Sequence, residues 1–254
     1  LLLVLPLLNN AVLSFIFLIL IGTLLLMLPF STGSNNLGFI DSLFLSTSAV
    51  TITGLSPIAD LASNLTSFGK FVLATLIQIG GLSIVTLSVF IMLLIGSKIG
   101  ITNRVLIKES LNQNNLSGMV RLVKKIVLTT LVIEFIGFII NLFVFIPRFE
   151  IPQAIGLSAF YAISSFNNAG FVLLGDNSII NYVNSPLLNF NMTLMIMLGS
   201  LWFIVIHDII EKRSYKKLTI HSKIVITMNF ILWIIGFIVF RFSKFEKISK
   251  KNSK

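Results

Sequence analysis

Thr51-Ile52-Thr53-Gly54 and Asn167-Asn168-Ala169-Gly170 each close a short apolar run with a turn ending in glycine. Such a turn does not hold a membrane helix together, and irregular backbone in lipid leaves N–H and C=O groups unpaired at a cost of several kcal/mol each. It survives only where protein buries it or where it lines a water-filled path. A short helix followed by an extended turn can aim its backbone carbonyls at an axis, and rings of carbonyls replace the hydration shell of a potassium ion. Glycine suits that work because it lacks a Cβ and accepts backbone angles other residues resist. In "TITG" the alternation lets one side of the backbone face a pore while Ile52 packs behind it. In "NNAG" the asparagine side chains could instead brace the loop through hydrogen bonds. One such stretch alone reads as an ordinary polar loop after a helix. Two, in matching places, read as pore loops.

Other polar residues offer different chemistry. Glu134 lies inside an apolar helix, where an acid is a functional-site hypothesis. It stands about two turns from a basic helix end, so pairing with Lys124, Lys125 or a neighbouring helix competes with ion contact. Gln78 is expected to bond across to a neighbour and support the pore loops. His207-Asp208 invites a membrane-embedded enzyme reading, as a proton relay or metal pair. Adjacent helix residues point about 100° apart and do not share a face. No HExxH and no nucleophile beside a base accompanies them, so a polar helix end is the simpler expectation.

The elements that must position these residues follow from composition. Of 254 residues, 56% are hydrophobic and 11% charged, with a mean hydropathy of +0.99. A soluble domain carries roughly 25% charged residues. The chain therefore reads as an all-α polytopic membrane protein. There is no cysteine, which excludes disulfides and thiolate metal sites. A net charge of +10 would point to nucleic acid in a soluble chain. Here the charges fall in short runs between apolar segments and set membrane orientation instead.

A hydrocarbon core needs about 20 apolar residues in a helix. Five segments reach that length: Ala11 to Phe30, Phe71 to Ile95, Ile126 to Ile146, Phe190 to Ile210 and Ile224 to Phe240. Two runs, Phe39 to Ala49 and Ile155 to Phe166, are too short to span and read as re-entrant. The order helix, short run, helix thus occurs twice. With a constant offset of 116, "LFLSTSAVTITGL" (43 to 55) lies over "AFYAISSFNNAGF" (159 to 171), so that Ser48 meets Ser164 and Gly54 meets Gly170. The following helices share a small-residue pair, Gly80-Gly81 and Gly199-Ser200, suited to close packing. The expected organisation is a first repeat over 1–96, a basic loop 97–125, a second repeat over 126–210, a basic loop 211–223, and the first helix of an incomplete third repeat with a basic tail over 224–254. Lys98, Arg104 and Lys108 in one loop and Lys212, Arg213 and Lys216 in the other place both in the cytoplasm.

"STSAVTITGL", "LIQIGGLSIVTL", "SSFNNAGF" and "IGITNRVLIKESLN" resemble the Trk/Ktr/HKT family of potassium transporters, from about Ala11 to Phe240. The resemblance implies repeated helix–pore loop–helix units around one ion path, four in a complete member, each giving a filter strand with a glycine. Carried over, Val50, Thr51, Ile52, Thr53 and Gly54 match the first filter strand, and Phe166, Asn167, Asn168, Ala169 and Gly170 the second. Backbone carbonyls of these residues would bind the transported K⁺, with no organic cofactor. Gly54, where some plant members have serine, implies preference for K⁺ over Na⁺. The family further implies a homodimer in the plasma membrane and a cytoplasmic ring of nucleotide-binding regulatory subunits.

Two departures stand out. The expected "GGLGF" reads "GSLWF" (199 to 203), so Trp202 alters packing there. The chain also stops after one helix of a third repeat, and its tail carries Arg241, Lys244 and Lys247 on the side topology calls outside. A truncated or frameshifted gene is the expectation from that conflict, so that one copy would not transport alone. A split transporter and a non-conducting assembly piece are the alternatives.

The orientation has a direct test, made clean by the absence of native cysteine. Single cysteines placed in 148–152 should react with an impermeant thiol reagent added outside, and cysteines in 97–125 should not.

Overall fold

The computed structural model describes residues 4–33, 37–83, 86, 119–175, 182–201 and 203–252. Among them the chain is helical, with one isolated antiparallel bridge between Thr32 and Leu65. Lys98, Arg104, Lys108, Asp176 and Trp202 lie outside the described residues. The chain forms two compact units, Leu1–Ser200 and Leu201–Lys254.

The first unit holds α1 (Val4–Met27), α2 (Phe39–Val50), α3 (Leu61–Asn64), α4 (Ser67–Leu82), α5 (Met119–Phe145), α6 (Ile151–Phe166) and α7 (Pro186–Ser200). Helices α1, α2 and α4 pack on one another, as do α5, α6 and α7, and α4 against α6 joins the two groups. The two short runs are thus helices α2 and α6, each held between two neighbouring helices. Their starts follow local rules. Gly38 precedes α2 in extended conformation with Asp41 in the first turn, and Pro152 opens α6 where a missing N–H costs nothing. Asp60 caps α3 by accepting from the Ala62 amide at 2.9 Å. The Ser63 hydroxyl donates to the same carboxyl at 2.6 Å and holds it below the usual carboxylate range. Thr66 caps α4, accepting from the Gly69 amide at 3.2 Å.

Several boundaries differ from expectation. Helix α6 begins at Ile151, a turn before the apolar run at Ile155, because Pro152 and Gln153 are compatible with a first helical turn. Helix α5 begins at Met119, so Arg121, Lys124 and Lys125 ride on its opening turns rather than in a loop. The segments expected as unbroken spans, Phe71 to Ile95 and Phe190 to Ile210, are both interrupted. Helix α4 stops at Leu82, where Ser83 turns left-handed with φ 66°, and α7 stops at Ser200. Each break comes within two residues of a Gly-Gly or Gly-Ser pair, where glycine lowers helix stability.

The interior of this unit is unusually polar and its exterior apolar. Asn191 of α7 is buried and donates to the Gly137 carbonyl at 3.0 Å and to Asn141 Oδ1 at 2.8 Å, both on α5. Asn141 in turn donates to the Ser158 carbonyl of α6 at 3.3 Å. Phe17, Leu24, Phe135 and Phe143 are exposed on the outside of α1 and α5. Lipid supplies no hydrophobic drive between helices, so such interhelical hydrogen bonds take on the role of glue.

The second unit holds α8 (Phe203–Lys212), a 3₁₀ turn (Tyr215–Lys217) and α9 (Ile220–Asn252). Two described helices, Arg121–Phe145 and Ile220–Val239, are long and apolar enough to cross a membrane by length and composition, and Val12–Met27, Phe39–Val50 and Ser67–Leu82 are shorter apolar helices. Exposed Ile224, Phe230, Leu232 and Phe237 put apolar side chains around α9.

Replacing Asn191 with Leu leaves Asn141 Oδ1 without its donor. Thermal unfolding of the chain in detergent should show a loss of about 1 kcal/mol, whereas Phe190→Leu, on an exposed face, should leave it unchanged.

Candidate functional site

Each short helix ends in the same backbone turn. Thr51 closes α2 with φ −87° and ψ 0°, and Asn167 closes α6 with φ −80° and ψ 2°. Next come two left-handed residues separated by one: Ile52 at φ 56° and Gly54 at 75°, Asn168 at 56° and Gly170 at 76°. A β-branched residue at positive φ is a genuine outlier, since its Cβ crowds the backbone. The hydrogen bonds repeat too. The Thr53 amide donates to the Ser48 carbonyl at 2.8 Å, and the Ala169 amide to the Ser164 carbonyl at 2.8 Å. The same serines use their hydroxyls one residue beyond each glycine. Ser48 Oγ accepts from the Leu55 amide at 2.9 Å, and Ser164 Oγ donates to the Phe171 carbonyl at 3.4 Å. Every equivalence keeps the offset of 116 between Ser48 and Ser164.

Among the described residues, the backbone carbonyls of 51–54 and 167–170 accept no hydrogen bond. The amides of 51–53 and 167–169 are tied back to the helix and the oxygens are left over. The two turns also meet. A Cβ built on Gly54 would strike the Ala169 carbonyl and come within 3.3 Å of Gly170 Cα.

The small pairs seat the following helices on these turns. A Cβ on Gly80 would run into the Val50 carbonyl, and one on Gly199 into the Phe166 carbonyl. A Cβ on Gly81 would occupy the place of the Asn167 side-chain amide. Ile52 packs partly buried against the core behind its turn, as the alternation implies. Asn167 braces the second turn, donating to the Ile163 carbonyl at 2.9 Å, while Asn168 is exposed beside Gly199. Beyond the second glycine, buried Tyr161 takes the Leu173 amide on its hydroxyl at 3.0 Å. Phe145 packs 5.8 Å from the Tyr161 ring and 5.6 Å from that of Tyr182.

Glu134 is 6% exposed, and its hydrogen bonds go to side chains of α4 and of the turn after α6. Its Oε2 accepts from Gln78 Nε2 at 3.0 Å and its Oε1 from Asn167 Nδ2 at 3.1 Å, and Asn167 Nδ2 also lies 3.2 Å from Gln78 Oε1. Gln78 bonds across to the turn after α6, and the acid engages two neighbouring elements. Sequence reasoning aligned Ser48 with Ser164 but assigned no task to either. Their signal was the shared hydroxyl at one register.

His207 and Asp208 do not converge. His207 Nδ1 faces Glu211 at 3.4 Å, whereas buried Asp208 pairs with Lys212 at 2.8 Å and accepts from the Thr219 amide at 2.8 Å and hydroxyl at 2.9 Å. Asp208 thus ties α8 to the start of α9. No cluster of three metal-ligating side chains occurs among the described residues.

The pattern of the TrkH family, described as a cation transport protein, matches residues 8–243. The chain belongs to that family. Its membership makes it a multi-pass plasma-membrane protein of a group of ion transporters, not enzymes. Ktr system potassium uptake protein B of Bacillus subtilis is 39% identical over 86% of this chain and 48% of its own. Potassium/sodium uptake protein NtpJ of Enterococcus hirae is 40% identical over 89% and 50%, respectively. Ktr system potassium uptake protein B of Vibrio alginolyticus is 36% identical over 90% and 50%. The chain spans about half the length of these curated relatives.

The two helix seats can be probed against an open glycine. Gly80→Ala and Gly199→Ala should each destabilise the chain in detergent by about 1–3 kcal/mol through overpacking. Gly156→Ala, whose Cβ meets nothing within 4 Å, should be neutral or up to about 1 kcal/mol stabilising.

Proposed function

We propose that this chain is the translocating part of a potassium uptake system of Trk/Ktr type, with 50–54 and 166–170 as two filter strands. One observation carries the reading. Two turns with the same left-handed pattern hold the amides of 51–53 and 167–169 back on a helix and, among the described residues, keep the carbonyls of 51–54 and 167–170 unspent, next to one another. Oxygens so presented replace water around a dehydrated cation. Helices α2 and α6 end at the turns, and the negative ends of their dipoles favour a cation there. Strained backbone of this kind gathers at functional sites, and left-handed Ile52 is such an outlier.

The relatives' names divide between potassium and potassium with sodium. Preference for K⁺ is assigned here from Gly54. By resemblance, two strands make half of a four-strand ring, and transport by this chain needs the other two. The same resemblance carries the homodimer and the docking of a nucleotide-binding regulatory subunit on the cytoplasmic side, where the basic residues of 97–125 and 211–223 would face it.

In a host deficient in K⁺ uptake, the chain alone should not restore growth on low K⁺. Joined to the remaining half of the Bacillus subtilis relative, it should. In that chimera Gly54→Ser should lower the preference for K⁺ over Na⁺ by about tenfold, because a side chain at a left-handed, crowded position costs roughly 1–3 kcal/mol of strain. Unchanged K⁺ uptake and Na⁺ exclusion with bulkier residues at both Gly54 and Gly170 would overturn the filter assignment.

A further inference from the structure

We infer that Glu134 is a positioning residue for the second filter strand, acting through Asn167 rather than on the ion; this rests on the filter reading above. Three elements contribute one side chain each: Glu134 from α5, Gln78 from α4 and Asn167 from the end of α6. All their contacts lie between 3.0 and 3.2 Å, and Asn167 is only 8% exposed. The donor pattern calls for a carboxylate. Two amide nitrogens face the two oxygens of Glu134, so a glutamine there presents an N–H₂ group to a donor. No flip of one amide satisfies both neighbours at once.

The two repeats hold the same turn by different means. At an offset of 116, Asn167 answers to Thr51 and Glu134 to Leu18. Thr51 is exposed and is held locally, donating to the Thr47 carbonyl at 2.8 Å and sharing a hydrogen bond with the Thr53 hydroxyl at 2.7 Å. Asn167 is buried and is held by two other elements. Gly81 leaves the room its amide occupies, while Gly80, one residue before, seats the same helix on Val50. Helix α4 therefore touches the end of the first short helix and clamps the start of the second turn. The left-handed residues Asn168 and Gly170 follow directly from the clamped one. A shift of Asn167 would move the carbonyls of 167–170 relative to those of 51–54.

The test uses the chimera in the uptake-deficient host, reading K⁺ uptake kinetics, competition by Na⁺ and membrane abundance. Glu134→Gln should reach the membrane within about twofold of the parent, raise the KM for K⁺ roughly five- to tenfold and weaken Na⁺ exclusion, since a buried donor is left unmatched. Gln78→Met, which spares the Glu134–Asn167 bond, should act in the same direction and less. Asn167→Leu combined with Glu134→Gln should be no worse than Asn167→Leu alone. Additive effects, or Glu134→Gln and Gln78→Met lowering abundance with KM and Na⁺ exclusion unchanged, would overturn the inference and leave Glu134 a packing residue. Gly170→Ala serves as the separate check: normal uptake in that variant removes the filter reading itself, whatever Glu134 does.

Discussion

The architecture of Leu1–Ser200 depends on a contact between a carbonyl and a hydrogen atom. The last turn of each short helix ends in a carbonyl, at Val50 and at Phe166, and a glycine of the following helix lies directly on it. A helix of 12 or 16 residues in a membrane protein cannot leave its terminal groups to lipid. Bringing another backbone to van der Waals distance buries that end in protein. Any side chain at Gly80 or Gly199 would push the helix away and open the turn behind it. Close approach thus comes first, and the unusual backbone angles are sustained by it.

The strain at the two turns is offset locally. Ile52 and Asn168 occupy conformations that disfavour a Cβ, at a cost of order 1–3 kcal/mol each. Ser48 and Ser164 bind each turn at two points, by carbonyl before the glycine and by hydroxyl after it. One serine brackets three residues. Among the described residues the arrangement satisfies the amides of 51–53 and 167–169 without using the carbonyls of 51–54 and 167–170, which is what separates these turns from an ordinary helix end, where the carbonyls are capped.

Polarity runs in the reverse sense to a soluble protein. Asn141, Asn191, Glu134 and Asn167 are buried, while Phe17, Phe135 and Phe143 are exposed. Each buried amide or acid bonds across elements, so the polar groups specify which helix faces which. Asp208 performs a comparable task in the second unit, between Lys212 and Thr219. Its adjacency to His207 carries no joint chemistry, because each side chain is committed to a different partner.

Membrane class and the two short helices with their matching glycine turns were legible in the sequence alone, for physical reasons. Hydropathy over about 20 residues reports directly on burial in lipid, and Gly54, Gly170, Ser48 and Ser164 recur at one offset because one backbone turn needs them. Gly80-Gly81 and Gly199-Ser200 announced close packing, but not that both helices break immediately afterwards. The partner of Glu134 was not legible. Gln78, Glu134 and Asn167 lie on three separate elements, and no local periodicity relates residues on different helices. Only packing α4 against α6, with α5 behind, brings two amides to the two oxygens of one carboxylate. Local backbone demands are written residue by residue, whereas a hydrogen-bonded triad across three helices exists only once they are assembled.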